Sequence, residues 1–301
     1  MKSIAIVSAL ATVVLAQSSS SGSNPLIPSG ISSGCSSFLT QLNSDTSLAS
    51  CTQPLVQASS EFAPGSNTTN PSSSTIQSAL NNICGTSAAC PDSTIRGQLA
   101  NFYSACQAEL TSSANADVIR QYDVLYALQP LQQSVCSKDD SGRYCVISMS
   151  TSSSSSKRSL AQDAVLERRD ASSQYAFVPN VTTYRNKNIL FLGLQPDSPS
   201  SLLCSSCSRS IMTAYMQFES SVPYAPGLPN SPLLGGQNDT YSAIQSQCGA
   251  DFLSAGTQNA APAAAGGLSG GLLSGAPRAL DSTVVMAGSV LGAVAAAFVA
   301  L

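Results

Sequence analysis

The sequence predicts a mostly α-helical domain stapled by disulfides, and three observations support that class. Apolar residues recur at helical spacing through most of residues 35–252. Ten cysteines are spread over that same stretch. Nothing in residues 35–145 alternates apolar and polar positions as a half-buried strand does. The expected architecture is a compact helical core with a disordered Ser-rich leader, a flexible central loop and a C-terminal stalk.

The helical elements follow in order. Leu48, Cys51 and Leu55 are spaced i, i+3, i+7, and Ile76, Leu80 and Ile83 are spaced i, i+4, i+7. Ile95, Leu99, Phe102, Cys106 and Leu110 form the clearest apolar stripe. Asp92 or Ser93, just after Pro91, offers a side-chain oxygen to cap that helix. Val118, Tyr122 and Leu125 begin another helix, expected to break near Pro130, where the ring clashes with the preceding turn. Val135 and Cys136 continue beyond it. Helical spacing returns in Cys204, Cys207, Ile211, Tyr215 and Phe218, and again in Tyr241, Ile244, Cys248 and Phe252. Between these two runs, residues 222–236 carry Pro and Gly at short intervals and are expected to be loop. Residues 175–181 and 189–194 are short apolar runs that fit a strand or a buried connection equally well.

The two ends carry targeting signals. Met1-Lys2, an apolar run over residues 4–15, and Val14 and Ala16 at the −3 and −1 positions read as a signal peptide, residues 1–16. Residues 284–301 are almost entirely apolar, preceded by the small residues Ser274-Gly275-Ala276 and the polar spacer 277–283. Small residues, spacer and apolar tail are the ordered parts of a glycosylphosphatidylinositol (GPI) attachment signal, here residues 277–301, exchanged for lipid on maturation. Ser274 is the expected attachment residue, with Gly270 and Gly271 as rivals. The competing reading is a transmembrane anchor, for which the tail sits at the lower limit for crossing a hydrocarbon core of roughly 30 Å. The expected organisation is a Ser-rich leader (17–34), an ectodomain (35–255) interrupted by a loop (150–173), and an Ala/Gly/Ser stalk (256–276). It places the protein on the extracellular face of the plasma membrane, with the outer leaflet as its partner through the lipid and the cell wall as an onward destination.

Composition excludes several chemistries. Charged residues make up 10% of the 301 positions and the formal net charge is −3, so the clustered Lys and Arg of a nucleic-acid surface are missing. The chain has no His, which rules out Ser-His-Asp and Cys-His catalysis and His-ligated zinc. It has no Trp, leaving nine Tyr and eight Phe as the only stacking platforms for sugar rings. No metal or cofactor site is expected.

Ten cysteines in an exported chain imply disulfides. Cys35, Cys51, Cys84, Cys90, Cys106, Cys136 and Cys145 precede the central loop, whereas Cys204, Cys207 and Cys248 follow it. Both groups are odd in number, so full pairing requires at least one bridge between the halves. The loop holds two dibasic pairs, Lys157-Arg158 and Arg168-Arg169, which resemble kexin-type processing sites; the alternative is a solvated loop with stray charge. Cys204-Ser-Ser-Cys207 has the spacing of a redox motif, but no βαβ pattern precedes it, which favours structural bridging.

Asn67, Asn180 and Asn238 each begin an Asn-x-Thr sequon and are expected to carry glycans at the surface. A glycosidase needs two carboxylates across a cleft. Here the acids are scattered singly, as Asp92, Glu109, Asp117, Asp123, Glu219, Asp239 and Asp251. Asp139-Asp140 lies in a turn composition, and Tyr103, Tyr122 and Tyr126 read as core and core-edge residues.

Several strings together carry a resemblance. They are Ser36-Ser37-Phe38-Leu39-Thr40, Thr94-Ile95-Arg96 with the run from Asn101 to Leu110, Tyr122-Asp123-Val124-Leu125-Tyr126, and the run from Ser221 to Leu228. The chain resembles an uncharacterised family of fungal, Ser-rich, GPI-anchored surface proteins, a domain of unknown function to which no catalytic residues are assigned. The fungal haem-binding surface domain needs a Cys-x-Cys step, which this chain lacks. The resemblance implies a surface or wall protein of structural or interaction role, with wall polysaccharide or other surface proteins as candidate partners. The alternatives are a carboxylate-based wall-polysaccharide hydrolase or transglycosidase, expected to show two acids lining one cleft, and a small-ligand or lipid-binding module.

Overall fold

A computed structural model of the chain describes residues 24–62, 72–85, 90–152, 166–171 and 174–258. They are mostly helical: α1 (Ser33–Leu42), α2 (Thr46–Ala58), α3 (Ser73–Ile83), α4 (Asp92–Ala105), α5 (Gln107–Leu110), α6 (Ala116–Cys136) and α7 (Cys145–Ser152). An antiparallel pair follows, β1 (Leu166–Ala171) and β2 (Gln174–Pro179). The chain then continues through α8 (Val181–Asn186), α9 (Ser200–Leu203), α10 (Ser206–Ser221), α11 (Gln237–Cys248) and α12 (Asp251–Gln258).

Helix α6 is the centre. Its buried residues include the unbroken run from Tyr122 to Leu128, so apolar side chains point to every side rather than along one stripe. A helix of that kind belongs in the middle of a bundle. α3, α4 and α5 pack against it, as do α7, α10 and a short 3₁₀ turn at Ile189–Phe191. The break expected at Pro130 does not occur: α6 runs to Cys136 with Pro130 inside it. Proline removes one backbone donor and crowds the turn before it, but the elements packed around α6 hold the helix on both sides of the ring. Ser134 Oγ, one turn on, donates to Pro130 O at 2.7 Å.

Start signals act where short polar residues precede apolar ones. Ser32, Asp45, Ser72, Asn115 and Ser205 cap α1, α2, α3, α6 and α10 through side-chain oxygens. α4 departs from expectation. Its N-cap is Pro91, without a side-chain cap, and Asp92 lies within the first turn, where it pairs with Arg96 at 2.5 Å. In that position the carboxylate complements the helix dipole instead of capping. The stripe from Ile95 to Leu110 is buried throughout, but the helix is interrupted at Cys106, where α5 begins.

Three further expectations need correction. The second half of the leader is docked, not free: Pro28 is buried, Ile27 and Ile31 pack on the core, and Gln121 Nε2 donates to Leu26 O at 2.7 Å. The end of the expected central loop is a hairpin in which Arg168 pairs with Phe177 and Arg169 with Ala176. Residues 174–179 are thus strand, whereas residues 189–194 are a buried 3₁₀ connection. Helix α12 extends to Gln258, two residues past the expected start of the stalk at 256. Residues 222–236 are non-helical apart from the short turn Leu228–Asn230, as their Pro and Gly content implies.

All ten cysteines are paired: Cys35–Cys106, Cys51–Cys90, Cys84–Cys136, Cys145–Cys207 and Cys204–Cys248. Cys204 and Cys207 therefore belong to two different bridges, which removes the redox reading of their spacing. The bridges close loops spanning 39 to 71 residues. For loops of that size, chain entropy assigns about 4 kcal/mol to each. Only Cys145–Cys207 joins the seven-cysteine half to the three-cysteine half.

Cleavage anywhere in residues 153–165 is therefore expected to leave two chains that co-migrate on a denaturing non-reducing gel and separate on reduction. The double variant C145S/C207S should release the two fragments without reductant. A kexin-type protease is expected to spare Arg169, whose backbone is tied into the hairpin, and N-terminal sequencing of the cut products would report a cut there.

Candidate functional site

Positions i, i+1 and i+4 of one turn of α6 place Tyr122, Asp123 and Tyr126 towards residues 222–236. Tyr126 Oη donates to Val222 O at 2.5 Å. The rings of Tyr122 and Tyr126 stand edge-on to Tyr224 at 5.5 and 5.0 Å between centroids, and Phe218 lies edge-on to Tyr126 at 4.9 Å. Such aromatic contacts add about 0.5–1.5 kcal/mol each beyond burial. On the far side Tyr122 meets Phe102, which in turn meets Phe38. An aromatic column thus runs from α1 through α6 into the loop.

Asp123 is fully enclosed, at 0% exposure. One carboxylate oxygen accepts from the Tyr224 hydroxyl. The other accepts from Ser231 Oγ at 2.6 Å and from the Leu233 backbone N–H at 3.0 Å. Ser231 Oγ also accepts from Leu234 N at 2.8 Å, so the hydroxyl bridges the acid to the start of the next turn. Burial pushes the Asp123 carboxyl up to about 7, against the pull of its three hydrogen bonds. Tyr224 is raised by burial and then by the adjacent Asp123 charge.

A second perturbed acid lies nearby. Glu219, in the last turn of α10, is raised by burial despite the Gln237 side chain beside it, and it contributes to raising Tyr126 and Tyr215. Glu219 Oε1 and Gln237 Oε1 are buried without a hydrogen-bond partner among the described residues. Both acids raised by burial thus border one segment, the connection from α10 to α11.

The remaining acids serve local structure. Glu109 accepts from the Ser32 backbone N–H at 2.6 Å, closing the N-terminus of α1 from 77 residues away. Burial pulls its carboxyl upward, but the bonds from Ser32 hold it below the ordinary glutamate range. Asp139 is likewise desolvated yet held well below the usual range, by Ser141, Ser148 and the Arg143 backbone. It forms a hydrogen-bonded turn. Asp117 pairs with Arg120 at 2.6 Å, and Asp239 and Asp251 are exposed on α11 and α12. Tyr122 and Tyr126 are buried and Tyr103 is half-buried, in the core and core-edge positions expected of them.

Asn180 is half-buried and caps α8, its Oδ1 accepting from Thr183 N at 2.9 Å. Asn238 is exposed in the first turn of α11. Asn67, Arg158, Ser274, Gly270 and Gly271 lie outside the described residues, as do the expected signal peptide and tail. Among the described residues no three His, Cys, Asp or Glu side chains converge as metal ligands, and no helix is long and apolar enough to cross a membrane.

Two strings that carry the resemblance, 122–126 and 221–228, meet at this clasp although 101 positions separate Asp123 from Tyr224. Residues 24–165 match the model of a domain of unknown function (DUF7729). The DUF7729 match ends just before β1, whereas the folded unit continues to Gln258 through the Cys145–Cys207 bridge and the Asp123 clasp. No curated protein and no solved structure matches the chain.

What the clasp does chemically is fix a Pro-rich connection onto the core. Asp123 has no solvent exposure, so it holds the loop and cannot meet a polymeric substrate. Sequence reasoning counted Asp123 and Glu219 among the scattered acids and missed Ser231 altogether. The only signal for the clasp was that the strings around Tyr122 and Tyr224 both belong to the resemblance.

Ser231→Ala removes a donor to Asp123 and the acceptor for Leu234 N, with an expected loss of about 2 kcal/mol in urea unfolding. A carboxyl raised in the folded state stabilises fully below the unfolded value, and that contribution is lost as pH rises through about 7. The stability of Asp123→Asn relative to the native chain is therefore expected to increase from pH 4 to about pH 7 and to level off above it. Paired unfolding curves across that range would read the slope, and a flat or falling difference would contradict it.

Proposed function

We propose that this protein is a GPI-anchored component of the fungal cell surface or wall with a structural or interaction role, in which no catalytic activity is identified. The observation that carries this reading is the complete pairing of its ten cysteines. Frameworks of that density belong to oxidising, extracellular settings. The apolar segment at 4–15, the small residues around Ser274 and the apolar run at 284–301 supply the matching entry and anchoring signals. The acids weigh in the same direction: Asp123 and Glu109 are buried and engaged in holding chain segments together, and Asp139 is engaged in its own turn. A disulfide-braced body held off the membrane by an Ala/Gly/Ser stalk fits a spacer or a display scaffold better than a catalyst.

Treatment of intact cells with phosphatidylinositol-specific phospholipase C is expected to move the protein from the detergent phase to the aqueous phase. Ser274→Leu together with G270L and G271L should abolish that release. A protein that stays in the detergent phase after treatment, or that never reaches the surface, contradicts the anchor. The role at the surface is tested by co-sedimentation of the glycosylated ectodomain with isolated wall glucan and chitin. Saturable binding marks a wall-recognition role, and its absence marks a spacer or a binder of surface proteins.

A further inference from the structure

The sequon Asn238-Asp239-Thr240 occupies the first turns of α11, and its two functional residues meet opposite environments. Asn238 is exposed, so a glycan attached there fits the finished fold. Thr240 is fully buried at 0% exposure. Its hydroxyl donates to Gly236 O at 2.9 Å and accepts from Asn188 Nδ2 at 2.9 Å, which leaves it no freedom to engage a second protein. Residues two apart on a helix do not face each other, so the helix also points the Asn238 amide and the Thr240 hydroxyl in different directions.

The lock on Thr240 is built from distant chain. Asn188 is 5% exposed and left-handed, at φ 45°, and its Nδ2 also donates to Leu194 O at 2.8 Å. It lies so close to Gly236 that a β-carbon there would stand 2.0 Å from Asn188 Oδ1. The other end of α11 is fastened to the end of α9 by Cys204–Cys248. The sequon is therefore fixed from both sides once the α8–α11 region has assembled.

We propose that Asn238 is a glycosylation site that accepts its glycan only before the chain folds, its window ending when Cys204–Cys248 closes and Asn188 seats on Thr240. In the transfer, Asn238 Nδ2 forms a bond to the anomeric carbon of a lipid-linked oligosaccharide diphosphate. The bond from that carbon to the phosphate oxygen breaks, the diphosphate lipid departs, and the amide loses one proton. The transferase engages the sequon through the hydroxyl two residues on, and here the fold withdraws that hydroxyl. Asn180 is the internal contrast. It caps α8 in an extended conformation, and Thr182 is exposed. The inference rests on the reading that the chain enters the secretory pathway, but only for its occurrence in cells.

The deciding experiment is cell-free. Unglycosylated full chain, either oxidised and folded or reduced and unfolded, is incubated with oligosaccharyltransferase and lipid-linked oligosaccharide, and occupancy at each sequon is read by peptide mass spectrometry. The expected result is modification of Asn238 in the unfolded chain alone, with Asn180 modified in both forms. Equal modification of Asn238 in the folded chain overturns the proposal. The variant C204S/C248S, with the other four bridges closed, should gain modification at Asn238; failure to gain it overturns the role given to that bridge. In secreting cells, glycan missing from all three sequons would overturn the surface reading, while the cell-free result would still decide this one.

Discussion

The enclosure of α6 is the constraint on which the rest of the structure depends. Over Tyr122–Leu128 the helix is buried on every side and has no solvent face, so the chain must supply cover all around that stretch. The seven-cysteine half supplies α3, α4 and α5 on one side, and the three-cysteine half supplies α10 and the turn at Ile189–Phe191 on another. Neither half can bury α6 alone. The Cys145–Cys207 bridge joins the two halves covalently, and the folded unit runs beyond residue 165, where the DUF7729 match ends.

That enclosure also sets the chemistry of the acids. An acid on a helix with a solvent face would point outward, whereas on α6 Asp123 has no outward direction. It is tolerated because three donors from the Tyr224–Leu233 segment converge on it. A buried carboxylate without a counter-charge is costly, and hydrogen bonds recover only part of the cost, which leaves its carboxyl raised to about 7. In return the Pro-rich connection is held at one defined place on the core. Glu109 follows the same logic on the other side of the bundle, where a buried acid closes the start of α1.

Three of the disulfides fasten element ends in this arrangement. Cys35–Cys106 ties α1 to the junction of α4 and α5, Cys84–Cys136 ties the end of α3 to the end of α6, and Cys204–Cys248 ties α9 to α11. Each clamps an element end, where helices open first, while side-chain packing holds their middles. A body braced in this way keeps its surface shape, which suits the scaffold role proposed for it.

The sequence by itself determined the helical class, because a 3.6-residue period is local and survives without knowledge of neighbours, as the buried stripe from Ile95 to Leu110 illustrates. Cysteine parity determined that the halves are covalently joined, since an odd count on each side admits no other full pairing. Tertiary structure alone decided which cysteines pair, because each bridge spans dozens of residues and nothing local marks its partner. It also carried α6 through Pro130, placed Arg169 in a strand, docked the leader and turned Asp123 from one scattered acid among several into the anchor of a loop. These outcomes share one physical reason: each depends on groups that are distant in the chain and supply packing or hydrogen bonds that local propensity does not record.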